Sequence, residues 1–246
     1  IRPLKEGVYQ DHMNKETILE LLRYKSSKIE AGKMTSLEAY KERADSEQKA
    51  IFYIVGDNEK ILRSSPLLES YNKNNIEVLI LDDKEIDDII TPTIGTYKDW
   101  EFKDITACEP PKVEQSEEAK KEVEEKFQDI TKKIKDKLGD AVKDVKVTNR
   151  LSESPSCVVK DAADAQMAAM AHMFRAMGQA MPESAPILEI NPEHEIVKKL
   201  NGCPDESTIE DVSWILLDQA KLSEGIEITD TVAFAQRLSR ITAKAL

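Results

Sequence analysis

The sequence predicts an α/β unit followed by an α+β unit that ends in two amphipathic helices. Three observations carry this reading. Two apolar runs, Ile51–Val55 and Ile76–Leu81, flank a helical stretch; the pair Pro110-Pro111 interrupts the pattern; and apolar residues recur at helical spacing from Ile209 to Ile241.

In the first unit, residues 14–28 repeat apolar positions at helical spacing through Ile18, Leu21, Leu22 and Tyr24, which predicts a helix. A second helix is expected over 36–44, with Thr35 and Glu38 spaced as a capping box. The run Ile51-Phe52-Tyr53-Ile54-Val55 reads as a buried strand, and Gly56-Asp57-Asn58 turns the chain into a helix through Ile61, Leu62, Leu67 and Leu68. Pro66 breaks or shifts that helix, because proline lacks the amide that the ladder needs. With a second strand at 76–81, the order strand, crossover helix, strand predicts a right-handed βαβ unit with parallel strands. The pattern then weakens from Thr91 to Ile105. Two prolines followed by charges make 108–112 a linker, so the units are placed at 1–109 and 110–246.

The second unit opens with a charged helix over 116–138, whose single apolar stripe is Val123, Phe127, Ile130, Ile134 and Leu138. Gly139 ends it. Short strands are expected at 145–147, 157–159 and 186–190, which gives a three-stranded sheet with helices. Between the last two strands lies a Met- and Ala-rich segment, 161–181. Asn191-Pro192 reads as a helix start, with Asn as cap and Pro in the first turn. Ser207 and Glu210 form a further capping box, and Ile209, Val212, Ile215, Leu216 and Ala220 line one helical face before Gly225 stops it. Phe234, Leu238 and Ile241 line the last helix.

Composition excludes several classes. A net charge of −12, with basic residues interleaved among acids, argues against nucleic acid or an anionic membrane as partner. No run is apolar and long enough to span a bilayer, and no signal peptide is visible. A start at Ile1 is expected of a piece of a longer chain. Cys108, Cys157 and Cys203 form no C-x-x-C pair, which predicts neither disulfide framework nor zinc site and points to a reducing cytoplasm.

A catalytic constellation is not found. The turn after the first strand holds only Gly56, where a dinucleotide fold needs several glycines. His194-Glu195-Ile196-Val197-Lys198 begins like a zinc-protease motif, but Lys198 stands where the second histidine is required, and His194 is read as a structural contact. The acidic knot Asp82, Asp83, Glu85, Asp87 and Asp88 lacks an alternating glycine-containing loop and is read as a solvated surface. No catalytic residue, metal or cofactor is therefore assigned.

Two features remain. Met167, Met170, Met173, Phe174, Met177 and Met181 lie in one segment, and from Met170 onward they follow one helical face. Methionine is flexible and polarizable, so such a face adapts to varied partners. Exposing five such side chains forgoes roughly 8–15 kcal/mol, so the stripe must meet its own domain, a second subunit or a client. Pattern alone leaves the three open. Likewise two short helices at a chain end either dock on the preceding sheet or pair with a symmetry mate in a four-helix bundle.

The residues also resemble a family. Leu21-Leu22-Arg23-Tyr24 with Ser26-Ser27, Ser36-Leu37 with Tyr40, Gln48 with Ile51-Phe52-Tyr53-Ile54, and Ser65-Pro66 with Leu68-Glu69 and Glu77-Val78-Leu79 follow its motifs in order. So do Arg150-Leu151 with Ser154-Pro155-Ser156-Cys157-Val158, Leu188-Glu189-Ile190-Asn191-Pro192 with His194, and Leu216-Leu217-Asp218-Gln219-Ala220. The chain resembles the heat shock protein 90 family of molecular chaperones, bacterial HtpG type, from late in the middle domain to the C-terminus.

The resemblance implies a C-terminal piece that is not itself an enzyme. The ATP and Mg site and the arginine that assists hydrolysis would lie in earlier domains of the parent. It implies homodimerisation through Ile209, Val212, Ile215, Leu216, Ala220, Phe234, Leu238 and Ile241. It implies binding of unfolded or partly folded clients through Met167, Met170, Met173, Phe174, Met177 and Met181, in the cytoplasm. The sequence departs from the family at Asp87-Asp88-Ile89, where an aromatic residue is common. It ends at Lys244-Ala245-Leu246 without an acidic pentapeptide, which fits a bacterial source. A different class of function, a cofactor-binding α/β domain with an appended helical dimerisation module, would need phosphate-binding backbone near Gly56; a purely structural dimeriser would bury all the methionines.

Overall fold

The computed structural model describes residues 2–111, 117–161 and 184–245. These form two compact units, and the six residues Ser65–Ser70 group with the second although their chain neighbours belong to the first.

The first unit contains α1 (Arg2–Gln10), α2 (Lys15–Leu21), β1 (Lys25–Ser26), α3 (Leu37–Arg43), β2 (Ala50–Val55), α4 (Glu59–Arg63), all but the first two residues of α5 (Glu69–Lys73), β3 (Val78–Leu81), α6 (Lys84–Ile94), β4 (Thr96–Tyr97) and β5 (Trp100–Asp104). The sheet order is β1-β3-β2-β5-β4, with β2 parallel to both β3 and β5 and with antiparallel edges. The two apolar runs thus sit side by side at the centre, Phe52 opposite Val78 and Ile54 opposite Ile80. Both strands are buried on both faces, which explains their lack of alternation. On one face the strands meet Val8, Leu19, Leu37, Ile90 and Ile94 from the helices. Pro66 does break the crossover: α4 stops at Arg63, Ser65 caps a 3₁₀ turn over Pro66–Leu68, and α5 follows.

Three local expectations are corrected here. The helix expected over 14–28 ends at Leu21, since Leu22 turns extended and the chain joins the sheet, where Tyr24 bridges Thr35 and β1 pairs with β3. The cap of α3 is Ser36, whose Oγ accepts from Ala39 N at 3.1 Å, while Thr35 Oγ1 accepts from Arg43. The weak stretch 91–105 holds the end of α6 and a β4–β5 hairpin whose two turn residues, Lys98 and Asp99, both have positive φ.

The second unit contains α7 (Glu117–Leu138), β6 (Asp144–Val147), β7 (Ser156–Val159), β8 (Ile187–Ile190), α8 (Glu195–Asn201), α9 (Glu206–Ser223) and α10 (Thr231–Ala245). Its sheet order is β6-β8-β7, with β6 parallel and β7 antiparallel to the central strand. The predicted stripe of α7 is its buried face: Phe127, Ile130, Ile134 and Leu138 lie in the core and Val123 packs against it. Each such side chain contributes roughly 1.5–3 kcal/mol of apolar burial, and that burial rather than its charged sequence holds the helix. After α9, Gly225 takes φ +72° and closes a Schellman motif, Gly225 N to Leu222 O and Ile226 N to Lys221 O.

Two caps differ from the sequence reading. The helix expected at Asn191-Pro192 begins at Glu195, and His194 is its cap, Nδ1 accepting from Ile196 N at 3.2 Å. Asn191 instead caps the preceding turn, its Oδ1 accepting from Glu193 N. Asp205 rather than Ser207 caps α9, its Oδ1 accepting from Ser207 N.

Candidate functional site

The residues that carry the family resemblance converge on buried polar contacts. In the first unit, Glu77 lies inside, its carboxylate accepting from Ser26 Oγ at 2.5 Å and from Arg43 Nε and Nη2 at 2.9 and 2.7 Å. Tyr40 OH donates to Glu77 O at 2.8 Å and accepts from Phe52 N and Gln48 Nε2. Every one of these groups would cost free energy if buried without a partner, so the motif residues act as one satisfied network.

The second unit has an equivalent. Arg150 Nε lies 2.7 Å from Glu189 Oε2, both side chains almost wholly buried. The Cys157 thiol donates to the same oxygen at 3.8 Å, and burial pushes its pKa well up. Asn191 ties in the loop before β7, Nδ2 donating to Ser154 O and N donating to Pro155 O. These are structural roles, held by elements far apart in sequence.

The acidic knot is solvated at Glu85, but Asp87 departs from that expectation. Asp87 is buried and receives Lys5 Nζ at 2.6 and 2.8 Å, Asp83 receives Arg2 at 2.8 and 2.7 Å, and Asp82 receives Lys25 Nζ at 2.6 Å. Burial raises the Asp87 pKa against the pull of Lys5. Among the described residues no group of three or more His, Cys, Asp or Glu is placed to hold a metal ion. At the β2–α4 turn, Gly56 N donates to Leu81 O, and a Cβ there would come within 2.8 Å of Leu62 Cδ2, so a larger residue would have to displace the Leu62 side chain. The first amides of α4 donate to Asn58 Oδ1.

The predicted interface residues divide in two. Ile209, Val212, Leu216 and Ala220 face the unit's own core, where α9 packs on β7 and α7, and Ser156 Oγ donates to Leu216 O at 2.9 Å. All four are buried within the single chain. Ile215, Phe234 and Ile241 are half-buried, Ile241 against the core, and Leu238 is 45% exposed. Not one residue of α10 is buried. The helix is held on α9 chiefly by polar ties: Arg240 to Asp211 at 2.8 Å, Lys244 to Asp205 at 2.8 Å, and the Arg237 guanidinium 4.8 Å from the Trp214 ring centroid.

Sequence reasoning missed the apolar residues that this arrangement leaves in the open: Val232, 65% exposed, with Leu222 and Ile226 at the turn between α9 and α10. Val232, Ala235, Gln236 and Ser239 line a shallow depression beside Arg240. The signal was weak, because only Val232 is large and apolar on that side. The predicted client-binding residues Met167, Met170, Met173, Phe174, Met177 and Met181 lie outside the described residues.

The family model described as Hsp90 protein matches residues 2–246. The chain belongs to the Hsp90 family. It is 90% identical over 246 residues to a protein of Aliarcobacter butzleri, 58% over 245 residues to one of Sulfurovum sp., and 46% over 246 residues to one of Treponema denticola, each named Chaperone protein HtpG. These alignments cover 98–100% of this chain but only 38–39% of each relative. The chain thus spans about two fifths of the length of the Hsp90 relatives it matches. The motifs quoted from the sequence are therefore those of a true relative, and the bacterial HtpG type is the right branch of the Hsp90 family.

Proposed function

We propose that this chain is the part of an ATP-dependent Hsp90 chaperone that pairs two subunits and offers an adaptable apolar surface to unfolded or partly folded proteins. The observation that carries this reading is α10: a helix without a buried residue, showing Val232 and Leu238 beside Leu222 and Ile226. Burying such a face against a symmetry mate is the economical way to remove it from water. The Met-rich segment supplies the client surface, because unbranched thioether side chains repack around many shapes. ATP turnover belongs to the domains that the relatives possess beyond the matched two fifths, and this chain is not itself the enzyme. The cytoplasm is the expected compartment, and among the described residues no helix is long and apolar enough to cross a membrane.

The cofactor-binding alternative is weakened at the one turn where it would act. The Gly56 amide is engaged with Leu81 and the Lys60 and Ile61 amides with Asn58, so three of the donors that a phosphate would use there are already occupied.

The test is a triple substitution, Met170→Ser, Met173→Ser and Phe174→Ser, assayed for suppression of aggregation of a chemically denatured protein. Holding should fall at least tenfold while solution mass and thermal unfolding stay unchanged. Undiminished holding would refute the assignment, and a collapsed fold would make the methionines core.

A further inference from the structure

One contact in the second unit has the form of a latch. The six residues Ser65–Ser70 lie on that unit although Ser64 and Tyr71 belong to the other. Their attachment has two polar ends and an apolar middle. At one end, Glu69 Oε2 accepts from Ser152 N at 2.6 Å, Glu153 N at 2.9 Å and Ser152 Oγ at 3.3 Å, while Oε1 accepts from Ser154 N at 3.0 Å. At the other, Ser65 Oγ donates to Glu224 Oε1 at 2.6 Å. Between them Pro66, Leu67 and Leu68 are buried in a 3₁₀ turn against β7.

Three successive amides converging on one carboxylate form an anion-binding concavity that the chain's own glutamate fills. Hydrogen bonds to an ionised acceptor are about twice as strong as neutral ones, so the charge matters as well as the shape. Burial would raise the Glu69 pKa, but the bonds from Ser154, Glu153 and Ser152 outweigh it and hold the carboxyl below its ordinary value. Glutamine is nearly isosteric, yet whichever way its amide turns, an N–H group faces one of the backbone N–H donors.

We propose that Ser65–Ser70 is a strap that opens and closes as a unit on the second unit of the fold, with the Glu69 carboxylate as its charge-dependent latch at Ser152–Ser154.

Amide hydrogen exchange on the full chain tests it, with Glu69→Gln and Ser65→Ala read against the wild type. In Glu69→Gln the amides of Ser152, Glu153 and Ser154 should exchange at least tenfold faster, while those of α7 and β8 stay within twofold. Ser65→Ala touches none of those three amides. It should nevertheless speed them at least threefold, because loosening one end of a cooperative strap frees the other. Glu69→Asp, which keeps the charge on a shorter side chain, should recover part of the protection. Unchanged exchange in Glu69→Gln would overturn the latch. An effect of Glu69→Gln without one of Ser65→Ala would overturn the strap, leaving a local hydrogen bond. Uniform acceleration across the second unit would overturn both.

Discussion

Arg150 and Glu189 meet inside the second unit with almost no solvent around either side chain. A buried pair is weak evidence for net stability, but removing one partner leaves an uncompensated charge. Glu189→Gln should therefore cost about 3–5 kcal/mol in urea unfolding. Replacing both residues with methionine should recover most of that loss, and a double variant as unstable as the single one would contradict this account. At this scale the sequence was informative in an incomplete way. It displayed Arg150, Cys157, Glu189, Tyr40, Gln48 and Glu77 as motif residues, yet their roles depend on partners brought together by the sheets. Asp87 shows the limit most clearly. A run of carboxylates reads as solvated surface, and only the approach of Lys5 from α1 makes one of them buried.

Among the elements, α10 carries no buried residue, and its ties to α9 are titratable. The Arg240 hydrogen bond, opposed by partial burial, holds the Asp211 carboxyl below its ordinary value. A carboxylate whose folded pKa is depressed contributes stability above its unfolded value, near 3.8, and loses it as the pH falls through the folded value. Asp211→Asn should thus lower the thermal midpoint at neutral pH, and the gap to wild type should close as the solution is acidified below pH 3.8. A gap that persists undiminished in acid would assign the loss to packing. The periodic helix α7 and the continuous apolar runs of β2 and β3 were legible because one face of the first and both faces of the others are buried. The β4–β5 hairpin was not. Two-residue hairpin turns with positive φ usually announce themselves by Asn-Gly or Asp-Gly, and here Lys98-Asp99 fills both positions. Lys98 is held there by Glu20, Glu38 and the Tyr97 ring, a set of contacts with no local signature. The shifted caps at Ser36, His194 and Asp205 have a related cause: several polar residues stand near each helix start, and backbone geometry decides which one bonds.

For the whole molecule the central claim is that one copy of this chain leaves apolar surface at α10 that a second copy covers. The expected pairing side chains divide accordingly. Ile209, Val212, Leu216 and Ala220 of α9 build the chain's own core and Ile241 packs against it, while Leu238, with Val232 and the turn at Leu222 and Ile226, remains exposed. Helical periodicity identified the apolar positions but could not distinguish a face that meets its own sheet from one that meets a partner. Light scattering after size exclusion at micromolar concentration addresses the claim directly. The account predicts a mass about twice the 27.8 kDa of one chain, falling to that of one chain when Val232 and Leu238 are both changed to Asp. A wild-type chain that runs as a folded monomer at every concentration would contradict it.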